Sequence, residues 1–212
     1  VTATDATTVF LVDDDPGVRK ALARVLEGEG WRVEQFASAE AFLARPEHAD
    51  AQGCIVLDVA LPGLDGLEVQ RRLAETGQTL PIVFITGHGD IPMSVRAIKA
   101  GAVDFLIKPV RAAALLEAVR AAVAQGASAR QAQLDTAELQ QRLADLTPRE
   151  REVLDGVVAG KLNKQIAADL GIVEQTVKFH RARVMQRMRA NSVAELMFIA
   201  AKLGIGHEPP RR

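Results

Sequence analysis

The sequence predicts an α/β fold in which a doubly wound, five-stranded parallel sheet is followed by a linker helix and a smaller all-α domain of four helices. Over residues 1–125, five short apolar runs alternate with segments of helical periodicity. The rest of the chain shows helical periodicity alone. With 212 residues and 48% apolar composition, the chain is long enough to bury two cores, so we expect two domains.

The five apolar runs are predicted to be the strands of the sheet. They are VFLV (9–12), WRVEQF (31–36), CIVLDV (54–59), IVFIT (82–86) and DFLI (104–107). Their short length and richness in β-branched residues favour strands, and the helical segments between them favour parallel pairing through crossovers. Ligands of such sheets bind beyond the carboxyl ends of the strands.

Capping residues mark the helices between these strands. The first helix is expected to begin at Pro16 with Asp15 as its N-cap and to end at Gly28 to Gly30. Ser38 caps a short second helix. Three further helices are predicted after Asp65 and Gly66, from about Pro92 to Gly101, and after Pro109.

Polar side chains stand where four of the five predicted strands end. They are Asp13 and Asp14, Asp58, Thr86 and Lys108. Because the carboxyl ends of parallel strands meet at one rim of the sheet, we expect these side chains to lie together. Strand ends are often polar simply because they leave the core, but that explains one such residue better than the whole set.

The clustered carboxylates predict a metal site. A small hard cation such as Mg²⁺, or Mn²⁺ in its place, prefers carboxylate, carbonyl and water oxygens. Asp14 and Asp58 are the expected direct ligands, and Asp13 is expected to hold a metal-bound water. The backbone carbonyl of Ala60 is expected to complete the protein ligands, whereas Asp15 serves as the helix cap.

The same rim is suited to phosphoryl transfer. Asp58 could attack phosphorus as a nucleophile, while the cation and Lys108 neutralise the charge of the transferring group. Thr86 would then hydrogen-bond the acyl phosphate that forms on Asp58.

Four segments of this half resemble the signatures of the bacterial two-component response-regulator receiver domain. They are VDDD (12–15), LDVALPGLDG (57–66), FITGHGD (84–90) and DFLIKP (104–109), in the same order. The resemblance implies a CheY-like, flavodoxin-like fold and phosphorylation of Asp58 by a phosphohistidine on a sensor histidine kinase. It also implies a cis peptide between Lys108 and Pro109, and Thr86 and Phe105 as the switch. Phe105 could equally be an ordinary core aromatic.

Two positions differ from residues that this family often carries. Ala60 and His88 stand two residues after Asp58 and Thr86, where polar groups can guide a hydrolytic water. Ala60 cannot do this; His88 could, or it could be a solvated loop residue. The resemblance implies no enzyme in the usual sense, because a receiver catalyses only its own phosphoryl transfer and dephosphorylation.

Residues 110–146 carry two apolar helical stripes separated by Gly126. The first comprises Leu115, Val119, Ala122 and Val123, and the second Leu139, Leu143 and Leu146. We expect two helices, or one helix with a weak joint. The second stripe could form a short coiled-coil seam between two chains or pack against the preceding domain.

A second domain is predicted to open at Thr147, where Pro148 and Glu150 complete a capping box. The first helix of this domain is expected to end at Gly160, and Asn163 is expected to cap the second, which ends in a turn at Gly171. A third helix is expected from about Glu174 to Met188. A Ser192–Glu195 capping box should begin the last helix, and Gly204 should end it. The expected domain bounds are therefore 1–125 for the receiver, 126–146 for a helical linker and 147–212 for the C-terminal domain.

The helix predicted over 174–188 has one apolar and one basic face. Val177, Val184 and Met188 are expected to face inward. A helix-turn-helix with cations on its outer face fits the major groove of DNA. Lys164, Thr176, Arg181, Arg183 and Arg187 are the candidate phosphate contacts, and Lys178, Phe179 and Ala182 the candidate base contacts. Phe179 could instead lie beside His180 in the small core.

LTPREREVL (146–154), NKQIAADLGI (163–172) and TVKFHRARVMQRM (176–188) resemble the LuxR-type DNA-binding domain. Together with the receiver, they make the chain similar to response regulators of the FixJ/NarL type. The resemblance implies phosphorylation-dependent control of transcription, with operator DNA and RNA polymerase as partners and a homodimer, formed through the last helix, when phosphorylated. Val173 stands where the family commonly has Ser or Thr, so a helix cap is missing.

Charge and composition limit the other function classes. Acidic residues outnumber basic ones over 1–125 and the reverse holds over 148–203, although the whole chain has a net charge of only −1. The single Cys54 excludes an internal disulfide, and no apolar run is long enough to span a membrane, which favours the cytoplasm. A metal-dependent phosphatase, for which no substrate-binding cap domain is visible, and a protein-binding adaptor are the alternatives.

Overall fold

A computed structural model of the protein describes residues 7–45, 52–76, 80–87 and 91–206. These residues divide into two compact units, one that ends at Arg130 and one that begins at Gln131. Each unit has its own elements and its own core, and each is described by itself. His88 lies outside the described residues, so its suggested part in hydrolysis stays a prediction.

The first unit contains the predicted parallel sheet. Its strands are β1 (Thr8–Val12), β2 (Arg32–Phe36), β3 (Gly53–Asp58), β4 (Ile82–Thr86) and β5 (Asp104–Ile107). They pair in the order β2-β1-β3-β4-β5, all parallel. Its helices are α1 (Pro16–Gly28), α2 (Ala39–Leu43), α3 (Gly66–Glu75) and α4 (Ile91–Lys99), together with the part of α5 (Ala112–Ala144) up to Arg130. The predicted doubly wound fold is confirmed.

The alternation of side chains along each strand divides the core into two clusters. Phe10 and Val12 of β1 join a cluster with Phe42 of α2 and Val69 of α3, whereas Val9 and Leu11 join one with residues of α1 and α5. Successive side chains of a strand point to opposite faces, so helices on both sides explain why the central strands are apolar throughout. This two-sided burial fixes the register that brings the strand ends together.

Short-range hydrogen bonds confirm the predicted caps of the first two helices. The Asp15 carboxylate accepts hydrogen bonds from the amides of Gly17 and Val18, at 2.7 and 3.1 Å. The Ser38 hydroxyl accepts one from the amide of Ala41 at 3.2 Å. Each cap provides a hydrogen-bond acceptor for an amide that has no partner inside its helix. The cap therefore fixes the residue at which the helix begins.

Gly53 is the position where a side chain would most disturb the sheet. Its φ of +150° lies in the range that L side chains rarely adopt, and an added Cβ would lie 1.7 Å from the backbone oxygen of Thr8 on β1. We expect Gly53→Ala to destabilise the first unit by about 3 kcal/mol or more, measured by urea denaturation.

Gly28 provides the matched control for this substitution. It is the last residue of α1, and an added Cβ would meet nothing within 4 Å. Gly28→Ala should leave the free energy of unfolding unchanged or raise it by about 0.5–1 kcal/mol, because alanine favours the helix more than glycine does. Equal midpoints for the two variants would show that the close approach of Gly53 to β1 does not limit stability.

The second unit is helical. It contains α6 (Pro148–Val158), α7 (Asn163–Leu170), α8 (Glu174–Arg187) and α9 (Val193–Lys202). Buried apolar side chains from all four helices form a third core, including Leu154, Ile166, Val184, Met188 and Leu196. The predicted capping box is confirmed, because the Thr147 hydroxyl accepts from the Glu150 amide and the Glu150 carboxylate accepts from the Thr147 amide.

Glu150 is a buried carboxylate, only 4% exposed, that also pairs with Arg187 at 3.3 Å. Burial alone would raise the pKa of Glu150, but the Thr147 donors and the positive charge of Arg187 hold the pKa below its ordinary value. We expect Glu150→Gln to destabilise the second unit by about 1–2 kcal/mol at neutral pH. Thermal unfolding of the full chain measures this.

The lowered pKa sets the pH dependence of that loss. A carboxyl group with a depressed folded pKa stabilises the fold above its unfolded pKa of about 4.3, and this stabilisation disappears as the pH falls through the folded value. The difference between Glu150→Gln and the unaltered chain should therefore shrink below about pH 4. Glu152→Gln is the control, because Glu152 is half-exposed on the same helix; a loss as large as that of Glu150→Gln would contradict the capping explanation.

Of the two expected alternatives around Gly126, that of two separate helices is wrong and one helix is found, while a weak joint within it stays a prediction. Helix α5 runs without interruption through Gly126. An added Cβ there would lie 3.1 Å from the Pro81 ring and 3.2 Å from the Gly53 oxygen, so the glycine allows close packing rather than ending a helix. Leu139 and Leu143 pack against the third core, which neither predicted alternative for the second stripe included.

The predicted Asn163 cap is wrong. The N-cap of α7 is Leu162, whose amide donates to the Gln165 side chain at 2.8 Å. Asn163 is the first residue of the helix, and its side-chain oxygen instead accepts a hydrogen bond from Arg181 on α8 at 2.8 Å. Val173 is the N-cap of α8 and makes no side-chain cap bond, as expected.

Two further findings concern composition. Burial raises the pKa of the Cys54 thiol to about 12, so this side chain behaves as a small apolar core residue. Among the helices in the described ranges, none combines the length and apolarity needed to cross a bilayer.

Candidate functional site

The carboxyl ends of the strands bring the predicted polar residues to one rim of the sheet. Asp13 directly follows β1, Asp58 and Thr86 are the last residues of β3 and β4, and Lys108 directly follows β5. Asp13, Asp58 and Thr86 are all at most 3% exposed. The Lys108 amide donates to the Thr86 oxygen at 2.7 Å, which continues the β4–β5 pairing to the site.

Lys108 joins two of the carboxylates. Its Nζ lies 2.6 Å from Asp13 Oδ2 and 2.6 Å from Asp58 Oδ2. The contact with Asp58 is a hydrogen bond, whereas the contact with Asp13 has the distance of an ion pair but not hydrogen-bond geometry. Burial alone would lower the pKa of Lys108, but the two aspartates outweigh it and raise the pKa. The ammonium group is therefore held charged between the two carboxylates.

Backbone amides fix the orientation of the same two carboxylates. Asp58 Oδ1 accepts from the Ala60 amide at 3.0 Å, and Asp13 Oδ1 accepts from the Asp15 amide at 2.9 Å. Burial raises the pKa of Asp13 above its ordinary value, although these contacts and Lys108 oppose that rise. Backbone amides and Lys108 thus hold both carboxylates in defined orientations.

Arg19 is a contributor that the sequence analysis missed. Its Nη1 donates to the backbone oxygen of Asp13 at 2.5 Å and so holds the loop that carries the acidic residues. Arg19 lies one turn inside α1 on an ordinary amphipathic helix, so no sequence pattern distinguishes it from a solvated arginine.

The three aspartates form a cluster suited to a divalent cation. Oxygen atoms of Asp13, Asp14 and Asp58 lie within 4.8 Å of one another, with Asp14 exposed and the other two buried. When all three are ionised, they and the Lys108 ammonium leave two uncompensated negative charges, which is the charge of one divalent ion. Hard oxygen donors at an accessible edge fit Mg²⁺. The part of the Ala60 carbonyl stays a prediction.

Thr86 and Phe105 lie on β4 and β5, the two strands that follow β3 in the sheet order. Thr86 is 1% exposed at the end of β4. Phe105 on β5 is half-buried, packs against the first core, and has its ring centroid 6.3 Å from that of Phe84. The peptide between Lys108 and Pro109 is cis, as the resemblance implied. The switch role of Thr86 and Phe105 stays a prediction.

The outer face of α8 presents basic and aromatic side chains. Lys178, Ala182 and Arg183 are exposed, and Phe179 is 56% exposed with the Arg183 guanidinium 5.5 Å from its ring centroid. The Phe179 ring contacts the His180 ring edge-on but does not enter the core, so the buried alternative for Phe179 is wrong. Val177, Val184 and Met188 are buried as predicted.

The remaining candidate DNA contacts differ in their exposure and in whether they already have partners within the second unit. Lys164 is exposed and Thr176 is half-buried. Arg181 donates to Asn163, and Arg187 donates to the Asp145 oxygen at 2.5 Å besides pairing with Glu150. Arg187 is thus already held by its own unit, and its phosphate contact stays a prediction.

Comparison with known proteins decides the family. Residues 9–120 match the model of the response regulator receiver domain, and residues 144–200 match that of the bacterial regulatory proteins of the luxR family. The chain belongs to the response regulators. It combines a receiver domain with a LuxR-type DNA-binding domain and is a phosphorylation-dependent two-component transcriptional regulator.

Relatives align with nearly the whole of this chain. Nodulation protein W of Bradyrhizobium diazoefficiens is 47% identical over 205 residues, which cover 95% of this chain and 90% of that protein. Transcriptional regulatory protein FixJ of Rhizobium meliloti is 44% identical over 200 residues, covering 94% and 97%. The structure of response regulator StyR matches with a TM-score of 0.81 at 45% identity, covering 93% of this chain and 99% of that one.

Family membership gives the site a chemical context. Receiver domains generally bind Mg²⁺ at an acidic site, and the cluster of Asp13, Asp14 and Asp58 has that character. A receiver joined to a DNA-binding domain implies a kinase partner and operator DNA. The response regulator is thus a transcription factor rather than an enzyme with a separate substrate.

Proposed function

We propose that this response regulator accepts a phosphoryl group on Asp58 and reads operator DNA with α8. The contact of Lys108 Nζ with both Asp58 and Asp13, at 2.6 Å each, carries the first half of the proposal. It places a fixed positive charge beside the carboxylate whose oxygen would bind phosphorus. Asp58 is the last residue of the central strand β3, and its contact with Lys108 is a hydrogen bond, whereas the Asp13 contact is an ion pair only.

Phosphoryl transfer would proceed by in-line displacement. A carboxylate oxygen of Asp58 attacks the phosphorus of a phosphohistidine on a sensor kinase and forms a P–O bond. The P–N bond breaks, and its electron pair returns to the imidazole nitrogen, which takes up a proton. Lys108 contributes by stabilising the negative charge of the transferring oxygens.

Asp14, Asp58 and the Ala60 carbonyl would hold Mg²⁺, or Mn²⁺, directly, and Asp13 would orient a bound water. When bound, the ion neutralises negative charge on the phosphoryl oxygens. The buried Thr86 hydroxyl would hydrogen-bond the acyl phosphate, and Phe105 would follow its movement. This change would shift the receiver between two packings.

The second half of the proposal concerns the surface of the second unit that would contact DNA. Lys178, Phe179 and Ala182 would reach base edges, because they lie exposed on the outer face of α8. The expected phosphate contacts are Lys164, Thr176, Arg181, Arg183 and Arg187. The phosphorylated chain would form a homodimer through α9 on a roughly two-fold DNA site and act on RNA polymerase there. Met197 on α9 is 44% exposed and available for such pairing.

A gel-shift assay at low salt tests the proposal directly. The chain is incubated with DNA, with and without acetyl phosphate and Mg²⁺, and we expect tighter binding after phosphorylation. Absence of DNA affinity under all these conditions would contradict the proposal. Repeated hydrolysis of a small phosphorylated metabolite, instead of stoichiometric labelling, would support the phosphatase alternative.

A further inference from the structure

Residues 121–143 lie between the two matched family models, which end at 120 and begin at 144. The structure nevertheless places residues 131–143 within the second compact unit, with the helices that form the DNA-binding domain. The C-terminal part of α5, residues 131–144, is therefore more than the end of a receiver helix.

Apolar contacts attach this part of α5 to the third core. Leu139 and Leu143 are half-buried against that core, and Leu146, just beyond the helix, is 9% exposed within it. The same core contains Val184 and Met188 from the inner face of α8 and its C-cap. The segment and the recognition helix thus share one packed interior.

Polar contacts join the segment to the C-terminal end of α8. Arg142 Nη1 donates to the backbone oxygen of Met188 at 3.4 Å, and Arg142 Nη2 pairs with Glu138 at 2.7 Å. Glu138 also pairs with Arg189 at 3.2 Å. A cation at the C-terminal end of a helix interacts favourably with the carbonyl groups that lack intrahelical partners.

The end of α8 has an unusual backbone conformation at the residue that follows its C-cap. Arg189 has a φ of 53° and is the single non-glycine residue in the described ranges with positive φ. This left-handed conformation is sparsely populated by arginine, so surrounding contacts are needed to maintain it. Glu138 and the Arg142–Met188 contact are placed to do so.

Stability alone does not account for Arg142. Its side chain is only 19% exposed, and an ion pair with a half-exposed carboxylate such as Glu138 contributes little free energy. We therefore assign Arg142 the role of fixing the position of the C-terminal end of α8 through its contact with Met188.

We propose that Arg142 is a positioning residue for DNA recognition, and that residues 131–146 form a brace that sets the orientation of α8. The proposal rests on α8 reading DNA, as argued above. Hydrogen bonds to base edges are directional, so a small shift of α8 weakens them more than it weakens attraction to phosphates. The brace therefore supports sequence discrimination rather than general DNA affinity.

The test compares full-length Arg142→Gln with the unaltered chain on two DNA duplexes. One duplex is selected from a random pool by the unaltered chain, and the other has the same length and composition in shuffled order. We expect affinity for the selected duplex to fall about tenfold, with affinity for the shuffled duplex within about twofold. The salt dependence should keep its slope, because no phosphate contact is removed.

Amide hydrogen exchange supplies a readout that is independent of DNA. In Arg142→Gln, the amides of residues 188–190 should exchange faster, whereas those of residues 153–157 in α6 should not change. Uniformly faster exchange through the second unit would indicate lost stability and overturn the positioning role. Arg151→Gln is the matched control for the change of charge, since Arg151 is half-exposed and pairs within α6 with Asp155. It should leave discrimination between the two duplexes and exchange at residues 188–190 unchanged.

Glu138→Gln keeps the proposal testable if Arg142→Gln does not fold. Glu138 is 56% exposed, so its substitution leaves the core intact, yet it removes the group that holds both Arg142 and Arg189. We expect about a threefold loss of discrimination. Unchanged discrimination together with unchanged exchange at residues 188–190 in Glu138→Gln overturns the brace. A salt slope reduced by about one in Arg142→Gln also overturns it, because Arg142 would then be a phosphate contact. Failure of the unaltered chain to bind either duplex would instead defeat the proposed function, and the brace with it.

Discussion

Replacement of Asp58 by Asn should abolish phosphorylation of this response regulator by acetyl phosphate in the presence of Mg²⁺. The amide has nearly the same shape as the carboxylate but lacks the negative oxygen that attacks phosphorus, and it ends the ion pair with Lys108. We expect incorporation to fall by at least about a thousandfold, which is a typical loss when a nucleophile is removed. Mass spectrometry of the intact chain measures it.

Asp65→Asn is the matched control for this experiment. Asp65 is exposed, caps α3 through the amide of Glu68 at 2.7 Å, and lies outside the acidic cluster. Asparagine caps helices as well as aspartate does, so labelling and stability should both be retained. Chelation of Mg²⁺ should suppress labelling of the unaltered chain. Label on another residue, with Asp58 unmodified, would contradict the proposed acceptor.

The large effect expected at Asp58 reflects how the fold assembles the site. Asp13, Asp58 and Lys108 are distant in sequence, yet each stands at or directly after the end of a strand. The rule that parallel strands end at one rim was enough to predict their meeting. Sequence patterns also predicted the caps at Asp15 and Thr147, because such caps form between residues only a few positions apart.

Contacts between distant elements had no comparable signal. Gly126 suggested either two helices or one helix with a weak joint. Its small size allows the close approach of α5 to Pro81, and that neighbour is set by the tertiary fold. Arg19 and Arg142 look like solvated helix cations in the sequence. Each donates to a backbone oxygen of a distant segment, Asp13 for Arg19 and Met188 for Arg142, and backbone groups carry no side-chain pattern that a sequence could reveal.

The failed prediction at Asn163 shows how a local rule can lose to a longer-range contact. Asparagine is a good N-cap, and the residue stands within one position of the observed cap. Its side chain is instead used by Arg181 of α8, while Gln165 bonds the amide of Leu162. The hydrogen bond to Arg181 joins α7 to α8, which local capping would not have done.

Lys178→Ala should produce the largest loss of specific DNA binding among single substitutions on α8. Lys178 is 54% exposed on the outer face and pairs only loosely with Glu174, at 3.3 Å, one turn earlier on the same helix. Such a pair contributes little free energy, so the ammonium group can leave it for a base acceptor. Loss of a good base contact should lower specific affinity about 10- to 100-fold in a titration with the selected duplex.

Two comparisons separate this base contact from a general electrostatic effect. Lys161→Ala removes the same charge from the same unit. Lys161 precedes α7 and pairs with Asp169 at 2.7 Å, so this substitution should leave DNA affinity nearly unchanged. Arg183→Ala should weaken binding to all sequences alike and reduce the salt slope by about one, as expected of a phosphate contact. If Lys178→Ala behaves like Arg183→Ala, with equal losses on selected and shuffled duplexes, then Lys178 contacts phosphate and the base readout must lie with Phe179 and Ala182. If Lys178→Ala has no effect on DNA but impairs binding to another protein, the outer face of α8 is an adaptor surface instead.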